Sequence, residues 1–346
     1  MHHPTRRQAL ATLLGSALPV LAPAVQAAPR AWPVDTVKLI VPAPPGGGVD
    51  VLCRNVADRL AALLGVTFVI DTRSGASGLL GARALAGAPA DGSTLGYLHA
   101  GHITLQAMGA KLDLAGDFAP AVGRYTASQF VIAVPAESRL LSMADLVRAI
   151  TAAPGTLTYG TGGQGSPGHL VMELLKARMP GFDAVHVPFK GAVDAVTALV
   201  GKNLDLVSGL MAAVLPQVRS GRVRALAVSG EHRSPLLAQV RALAVSGEHR
   251  SPLLAQVPTL AESGFAGFSH VSWGGFYAPA KTPPALLATL REALAKVADD
   301  PGFKALLDST GSELRPAEPP QAFEAYLKAA LVTETALMAR LGLKMQ

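Results

Sequence analysis

Cysteine is nearly absent from this sequence, which contains only Cys53. A single thiol excludes an internal disulfide framework and an all-cysteine metal site. Runs of basic residues, and basic residues interleaved with aromatic ones, are absent as well. No nucleic-acid partner is therefore expected, although the formal net charge is +6. Beyond the N-terminal segment, no stretch reaches about 18 uninterrupted apolar residues, so no lasting membrane span is expected.

Apolar residues are abundant and make up 50% of the 346 residues, whereas 16% are charged. This composition is typical of a globular protein with enough core for two domains of ordinary size. The 35 glycines and 26 prolines are spread between apolar segments rather than concentrated in one region. Long disordered stretches are therefore not expected.

The N-terminus has the pattern of an export signal. The Arg6–Arg7 pair precedes an apolar stretch over Ala9–Leu21, and small residues follow over Ala24–Ala28. We expect a signal peptide over residues 1–27, cleaved near Ala27, and a mature protein outside the cytoplasm. The paired arginines leave two export routes open, the twin-arginine route and the ordinary secretory route.

Strand-like and helix-like segments alternate along the rest of the chain. A buried-strand pattern, "VKLIVPAP", is followed by a helix pattern, "VDVLCRNVADRLAALLG". The succession of strand, glycine-rich turn and helix recurs in "GTLTYGTGGQGSPGHLVMELLKARM". The alternation predicts an α/β fold with two mixed, mostly parallel sheets and helices on both faces. Because the unit of strand, glycine-rich turn and helix occurs twice, we expect two domains. The first comprises residues 28–125 with 265–346, and the second comprises residues 126–264.

Two glycine-rich turns occupy matching places before helices. The first contains Gly46, Gly47 and Gly48, and the second contains Gly162, Gly163, Gly165 and Ser166. A helix N-terminus has unpartnered N–H groups and partial positive charge, and glycine lets an anion approach them. Asp50 can cap such groups in the first helical turn. A tight turn without a ligand explains one loop, but the repetition favours two anion-binding loops facing each other across a cleft.

The second loop also matches a nucleotide-binding pattern. Gly163-x-Gly165-x-x-Gly168 fits the dinucleotide fingerprint, which requires an acidic residue at the end of the next strand. The corresponding stretch, "VHVPFKG", contains Lys190 and no carboxylate. Neither loop ends in Gly-Lys-Ser/Thr, as a phosphate-binding P-loop does. A nucleotide cofactor is therefore not expected.

Catalytic and metal-binding patterns are weak. Ser166 and His169 could form a nucleophile and base, but Gln164 stands where a nucleophile elbow requires glycine. The preferred interpretation is that Ser166 caps the helix and His169 braces the loop. The pair His99-x-x-His102 has no carboxylate or cysteine at ligand spacing, so no metal is expected.

The ordered motifs resemble one known family, and they cover nearly the whole mature chain. In order they are "VKLIVPAPPGGGVDVLCRNVADRL", "GAPADGSTLGYL", "DFAPAVG", "YGTGGQGSPGHLVMELL", "VHVPFKGAVDAVTALVGKNLDLV", "VRALAVSG…RSPLLAQVPTLAESGFAGF" and "WGGFYAPAKTPPALLATL". Together they resemble the Bug family, the periplasmic solute receptors of tripartite tricarboxylate transporters. The resemblance implies a two-domain fold like that of type II periplasmic binding proteins, with a central ligand cleft.

The resemblance also implies a set of ligand-binding residues. They belong to the first glycine loop (Ala43–Asp50), the second glycine loop (Thr161–Ser166), the turn Ser74–Gly78 and the strand end Ala100–His102. The expected set is Ala43, Pro44, Gly46, Gly47, Gly48, Asp50, Gly75, Ala76, Ser77, Gly101, His102, Thr161, Gly162, Gly163, Gly165, Ser166, His169 and Gly209. The expected ligand is a small organic carboxylate, held largely by backbone N–H groups and hydroxyls.

The implied function is that of a monomeric, non-enzymatic receptor that presents its ligand to the membrane subunits of a transporter. The alternatives are a receptor that signals to a sensor protein, or a hydrolase or nucleotide-dependent enzyme on the same frame. Two positions depart from the family pattern: Ala43, where an aromatic residue is common, and Ser208-Gly209, where an acidic residue is common. Both departures widen or neutralise the expected cleft, so the usual dicarboxylate ligands are not assumed.

One segment is repeated letter for letter. "VRALAVSGEHRSPLLAQ" occupies Val223–Gln239 and again Val240–Gln256. Working repeat arrays have several drifted copies, so a single perfect copy indicates a recent duplication or an assembly error. Because the fold needs one strand here, we expect the surplus copy to form a surface loop, and its deletion to leave ligand affinity unchanged.

Overall fold

A computed structural model of the chain describes residues 32–229, 260, 265, 268 and 270–345. Its strands are β1 (Thr36–Val41), β2 (Thr67–Thr72), β3 (Thr94–His99), β4 (Phe118–Ser128), β5 (Phe130–Pro135), β6 (Thr158–Thr161), β7 (Val185–Pro188), β8 (Leu206–Leu210), β9 (Val223–Val228), β10 (Ser272–Pro279) and β11 (Ser312–Leu314). Its α-helices are α1 (Gly48–Leu64), α2 (Leu79–Ala86), α3 (Gly101–Ala107), α4 (Met143–Ala152), α5 (Pro167–Arg178), α6 (Ala192–Val200), α7 (Met211–Arg219), α8 (Pro284–Asp299), α9 (Pro301–Thr310) and α10 (Pro320–Leu341).

The strands form two sheets. The first has the order β11-β4-β10-β3-β1-β2, and the second has the order β7-β6-β8-β5-β9. The predicted α/β fold with two mixed sheets is confirmed, but the expectation that they are mostly parallel is wrong. Of the pairings between described strands, four are parallel and five antiparallel.

The antiparallel pairings arise where the chain changes sheet. β4 ends at Ser128 in the first sheet, and β5 begins at Phe130 in the second. A strand by which the chain enters one sheet from the other runs in the opposite direction to the strands beside it. Accordingly β5 is antiparallel to β8 and β9, and the returning strand β10 is antiparallel to β3 and β4. Local strand–helix alternation does not reveal these crossings.

Helices cover both faces of each sheet, as expected. Alternate side chains of the central strands point to opposite faces, so Leu39 of β1 packs with α1, α8 and α9, whereas Ile40 packs with α2, α3 and α10. In the second sheet, α4 and α5 cover one face and α6 and α7 cover the other. No helix in the described part of the chain is both long and apolar enough to cross a membrane.

The first helix follows its sequence pattern closely. Its buried face includes Leu52, Cys53, Val56 and Leu60, which recur at helical spacing. Gly65 ends the helix in the left-handed conformation, with φ 67°, and donates its N–H to the carbonyl of Ala61. Cys53 is a fully buried core residue.

The domain boundaries predicted from the sequence stay predictions, and residue 264, at the second boundary, lies outside the described residues. The duplicated segment is described only at its start, where the first copy supplies β9 (Val223–Val228). Residues 230–256, and with them the expected surface loop, lie outside the described residues. The predicted signal peptide lies outside them too.

Candidate functional site

A cavity of about 150 Å³ lies between the two sheets. Its walls include the residues that follow β1 and β6, at the carboxyl ends of parallel strands, where open α/β sheets bind ligands. Seven residues of the expected set line it: Ala43, Pro44, Gly47, Gly48, Ser77, Gly162 and Ser166. Eleven are not among its lining residues: Gly46, Asp50, Gly75, Ala76, Gly101, His102, Thr161, Gly163, Gly165, His169 and Gly209.

Two N–H groups of the first glycine loop are hydrogen-bonded to nearby residues of the same segment. Gly46, with φ +75°, donates its N–H to Asp50 Oδ2 at 2.9 Å, and Gly47 donates to the carbonyl of Pro44 at 3.3 Å. Gly46 and Asp50 therefore shape the loop and do not line the cavity. Gly48 and Val49 open helix α1 on the cavity wall, and Gly47 supplies no side-chain cap for their N–H groups. Uncapped N–H groups at a helix N-terminus are able to bind an anion.

The second glycine loop is braced in the same manner. Gly163 donates to Thr161 Oγ1 at 3.2 Å, and Gly165 donates to His169 Nδ1 at 3.2 Å. The N–H groups of these two glycines are therefore engaged within the loop, contrary to the expectation that they face a ligand. Ser166 caps α5 by accepting the backbone N–H of His169 at 3.3 Å. What faces the cavity is Gly162 together with the helix start, Ser166 to Gly168.

Behind this loop, aromatic rings form a buried stack. The His169 ring lies 4.2 Å from that of His186 and is stacked on Tyr159. Burial lowers the pKa of His169 to about 4 and that of His186 to about 3, so both rings are neutral at pH 7. His186 Nε2 lies 2.7 Å from Thr161 Oγ1, which ties the stack to the loop. His169 thus braces the loop, as the preferred interpretation holds.

The two walls touch each other across the cleft. A Cβ placed on Gly48 would lie 2.5 Å from the Cβ of Ala212, at the start of α7. Ser77 donates its hydroxyl to the carbonyl of Gln164 at 2.6 Å, which joins the turn Ser74–Gly78 to the second loop. The structure therefore has a closed cleft, in which only glycine fits at position 48.

The turn that presents Ser77 has an unusual backbone. Gly75, Ala76, Ser77 and Gly78 all have positive φ, at 120°, 45°, 55° and 96°. A residue with a Cβ rarely adopts this conformation, and two in succession store strain. Gly75 and Ala76 shape this turn without lining the cavity, whereas Ser77 lines it.

The strand end expected at Ala100–His102 is instead the start of helix α3. His102 is fully buried, with Nδ1 3.1 Å from the carbonyl of His99 and Nε2 3.3 Å from the carbonyl of Gly78, and burial lowers its pKa to about 4. His99, which lines the cavity, accepts the Gly101 N–H at Nδ1, so its own proton lies on Nε2. Within the described residues, no group of three or more His, Cys, Asp or Glu could hold a metal ion.

Gly209, the last member of the expected set, lies on β8 and faces helix α7. A Cβ there would lie 2.8 Å from Val214 Cγ2, so the residue serves packing between β8 and α7. Its neighbour Ser208 belongs to the cavity wall instead. Successive side chains of a strand point to opposite faces, so Gly209 packs against α7 while Ser208 faces the cavity.

Sequence reasoning missed several wall residues. They are the hydroxyl residues Tyr97, Thr126, Ser128, Ser208, Ser272 and Ser312, together with His99 and Lys190. Lys190 is exposed, and it is the one Lys or Arg among the described residues of the wall. The sequence did draw attention to Lys190, because it lies in "VHVPFKG", the stretch in which a dinucleotide-binding protein would have a ribose-binding carboxylate. The hydroxyl residues gave no local signal, because strand order brings them together.

Two mixed α/β sheets with a cleft at the ends of their parallel strands define the class of periplasmic-binding-protein-like folds. A family model described as the tripartite tricarboxylate transporter family receptor matches residues 52–242 and 237–343. The chain therefore belongs to that family, and the resemblance to Bug proteins is confirmed. The two matched stretches overlap at residues 237–242, inside the duplicated segment.

The chain is similar to known proteins both in sequence and in structure. A Pseudomonas sp. (strain P51) protein, named for the tcbD-tcbE intergenic region, is 31% identical over 81% of this chain and 79% of its own length. The periplasmic binding protein BugD has a TM-score of 0.81 at 26% identity, over 91% of this chain and all of its own. An R. palustris protein solved with adipate, Rpa4515, has a TM-score of 0.79 at 29% identity, over 90% of this chain and 99% of its own.

Proposed function

We propose that this protein is a periplasmic receptor that captures a small organic carboxylate in its cleft and presents it to the membrane subunits of a tripartite transporter. The observation that carries the proposal is the pair of helix N-termini on the cavity wall. Gly48 opens α1 on one side, and Gly168, in the first turn of α5, lies on the other. Backbone donors from both sides can then surround one anion.

The electrostatics of the wall favour an anion over a cation. The described wall residues include no Asp or Glu, and their one Lys or Arg is Lys190. Helix dipoles and N–H groups stabilise a carboxylate without requiring a second buried charge, whose desolvation would offset much of the gain. Neutral His99 adds a further possible donor at Nε2.

The contacts between the two walls support a mechanism in which two domains close on the ligand. We assign one domain to residues 28–125 with 265–346 and the other to residues 126–264. An acid docks on one wall of the open cleft, and the second wall then completes its hydrogen bonds. The contact between Gly48 and Ala212 and the bond from Ser77 to Gln164 hold the walls together. The relative solved with adipate gives independent support for a carboxylate ligand.

Export to the periplasm is part of the same proposal. Residues 1–27 are removed near Ala27, by the twin-arginine or the secretory route, and the receptor acts as a monomer without a cofactor. The intact mass of the protein recovered from the periplasm tests this directly. A mass that retains the first 27 residues would contradict it.

Calorimetric titration tests the binding function. We expect adipate or another acid of a panel of four- to eight-carbon carboxylates to bind with a Kd of about 1 μM or tighter, about −8 kcal/mol. The matched control is 1,6-hexanediol, which has the same chain length and no charge and is expected not to bind. Equal binding of the diol, or no heat with any acid, would contradict the proposal. Unchanged acid after prolonged incubation with the protein is expected of a receptor.

A further inference from the structure

Hydroxyl side chains form one end of the cavity, away from the glycine loops. Ser128 of β4 lies directly opposite Ser272 of β10 and Ser312 of β11 in the sheet register. Directly paired residues present their side chains on the same face, so these three form a hydroxyl row. All three line the cavity.

The strand order separates this row from the first glycine loop. β10 lies two strands from β1, and β4 lies three strands away. With a strand spacing of about 4.8 Å, Ser272 and Ser128 lie roughly 10 Å and 14 Å across the sheet from β1. The hydroxyl row and the loop after β1 can therefore contact opposite ends of one small ligand.

More hydroxyls surround the row. Thr126 lies two residues before Ser128 on β4, and its Oγ1 lies 3.2 Å from the hydroxyl of Tyr97. Thr126 and Tyr97 also belong to the cavity wall. Ser208 is a wall residue too, but it lies beside the second glycine loop: β8 pairs with β6, and a Cβ placed on Gly168 would lie 2.4 Å from the Ser208 carbonyl oxygen.

Two of these hydroxyls lack partners. Ser208 is 1% exposed, and neither its Oγ nor that of Ser128 has a hydrogen-bond partner among the described residues. Buried polar groups in native proteins nearly always have one, because leaving them unpaired costs free energy. A hydrogen-bonding atom at the far end of a bound ligand would satisfy Ser128, and a carboxylate oxygen beside the start of α5 would satisfy Ser208.

This end of the cavity carries no charge. The described wall residues include no Arg, Asp or Glu, and Lys190 is their one Lys. Lys190 is exposed and lies near the first loop, because the next residue, Gly191, contacts Pro44. A second carboxylate or an ammonium group would lose its hydration here without gaining a counter-charge. Phe130 and Trp273 flank the hydroxyls on the wall and suit an apolar body.

We propose that the ligand is a monocarboxylate with an apolar body whose far end carries a neutral hydrogen-bonding group, a hydroxyl or carbonyl, received by Ser128 of the hydroxyl row. The inference rests on the proposed function, because it places the carboxylate at the glycine loops. It excludes dicarboxylates and ω-amino acids as the preferred ligands.

A matched series of probes tests the proposal by calorimetry. At each length from four to eight carbons, the ω-hydroxy acid is compared with the unsubstituted acid, the dicarboxylate and the ω-amino acid. At the length that fits best, we expect the ω-hydroxy acid to bind at least about tenfold more tightly than the other three. A dicarboxylate or ω-amino acid that binds as tightly would overturn the inference.

Substitution of the unpartnered serine supplies a second test. We expect Ser128→Ala to weaken binding of the ω-hydroxy acid about five- to tenfold and to leave binding of the unsubstituted acid unchanged. The control is Ser309→Ala, an exposed serine of α9, which should change neither. Equal loss for both acids, or no loss for either, would contradict a role for Ser128. Absence of binding by every acid would instead refute the proposed function, so the two failures are distinguishable.

Discussion

Lys190 is the residue through which the charge of the ligand is most easily tested. It is exposed at the cavity wall, and the described wall residues offer no carboxylate to pair with it. We expect Lys190→Gln to weaken carboxylate binding about three- to fivefold at low ionic strength, with a smaller effect at 0.5 M salt, because an exposed charge is screened. The measurement is calorimetric titration of the tightest-binding acid at both ionic strengths.

The control for this variant is Lys281→Gln, which removes the same charge just after β10, at the end of that strand remote from the cleft. It should leave the affinity unchanged. Equal losses in the two variants would mean that only net charge matters, and an unaffected Lys190→Gln would remove this lysine from the site.

At this scale, sequence reasoning found the residues whose role is local. Gly48 and Gly162 line the cavity because each follows a strand and precedes a helix, which is visible in the sequence. Ser128, Ser272 and Ser312 were missed because they become neighbours only through strand register. The same limit explains why Gly163 and Gly165 were expected to bind ligand, although their N–H groups are bonded inside the loop.

At the scale of elements, the contact between α1 and α7 tests whether the cleft must close. A Cβ at position 48 would lie 2.5 Å from that of Ala212. We expect Gly48→Ala to hold the walls apart and weaken ligand binding by about tenfold or more. The double variant Gly48→Ala/Ala212→Gly removes the clash and should recover most of the affinity.

The control is Ala212→Gly alone, which should bind almost as the unmodified protein does. Normal binding by Gly48→Ala would show that the closed contact is unnecessary. If the double variant fails to recover while its circular dichroism and melting temperature remain normal, the loss does not come from this contact.

The left-handed turn at Ala76 offers a test of stored strain. With φ at 45°, the alanine Cβ is disfavoured, and glycine at this position should raise the free energy of unfolding by about 1 kcal/mol. The matched control is Ala329→Gly on the exposed face of α10, where the same change should cost about 1 kcal/mol. Urea denaturation measures both, and destabilisation by Ala76→Gly would contradict the strain.

Most elements could be predicted because their patterns are long and regular. The helix after the first loop and the strand before it follow directly from apolar spacing. Helix α3 was missed because its seven residues carry too few periods to show an amphipathic face. Strand β4 was missed because Pro120 and Gly123 interrupt a pattern that only pairing with β10 and β11 stabilises.

At the scale of the whole molecule, buried neutral histidines set a pH dependence of stability. Burial lowers the pKa of His102, His169 and His270 to about 4 each, below the value of about 6.5 expected in the unfolded chain. Between these values the unfolded chain binds more protons than the native one. The free energy of unfolding should therefore fall as the pH falls from 7 to 5, by about 1–2 kcal/mol for His102 alone.

Urea denaturation at pH 7, 6 and 5 measures this dependence. His102→Asn should show a shallower slope than the unmodified protein, whatever its stability at pH 7. Stability that stays constant or rises towards pH 5 would contradict the neutral, buried state of these rings.

The crossing of the chain between sheets is the feature of the whole molecule that the sequence concealed. Local alternation predicted two sheets and their helices, but the five antiparallel pairings depend on where the chain leaves one sheet for the other. That exit lies at Gln129, between β4 and β5, where no glycine or proline marks it. The same crossing strands carry the hydroxyl row, so the part of the fold that was missed and the part of the site that was missed coincide.

A crystal structure of the protein with the tightest-binding acid of the calorimetric panel tests the central claim most directly. We expect the carboxylate oxygens within about 3.2 Å of the N–H groups that open α1, at Gly48 and Val49, with α5 completing the site from the other wall. A carboxylate bound against Ser128 and Ser272, or outside the cleft, would contradict the account.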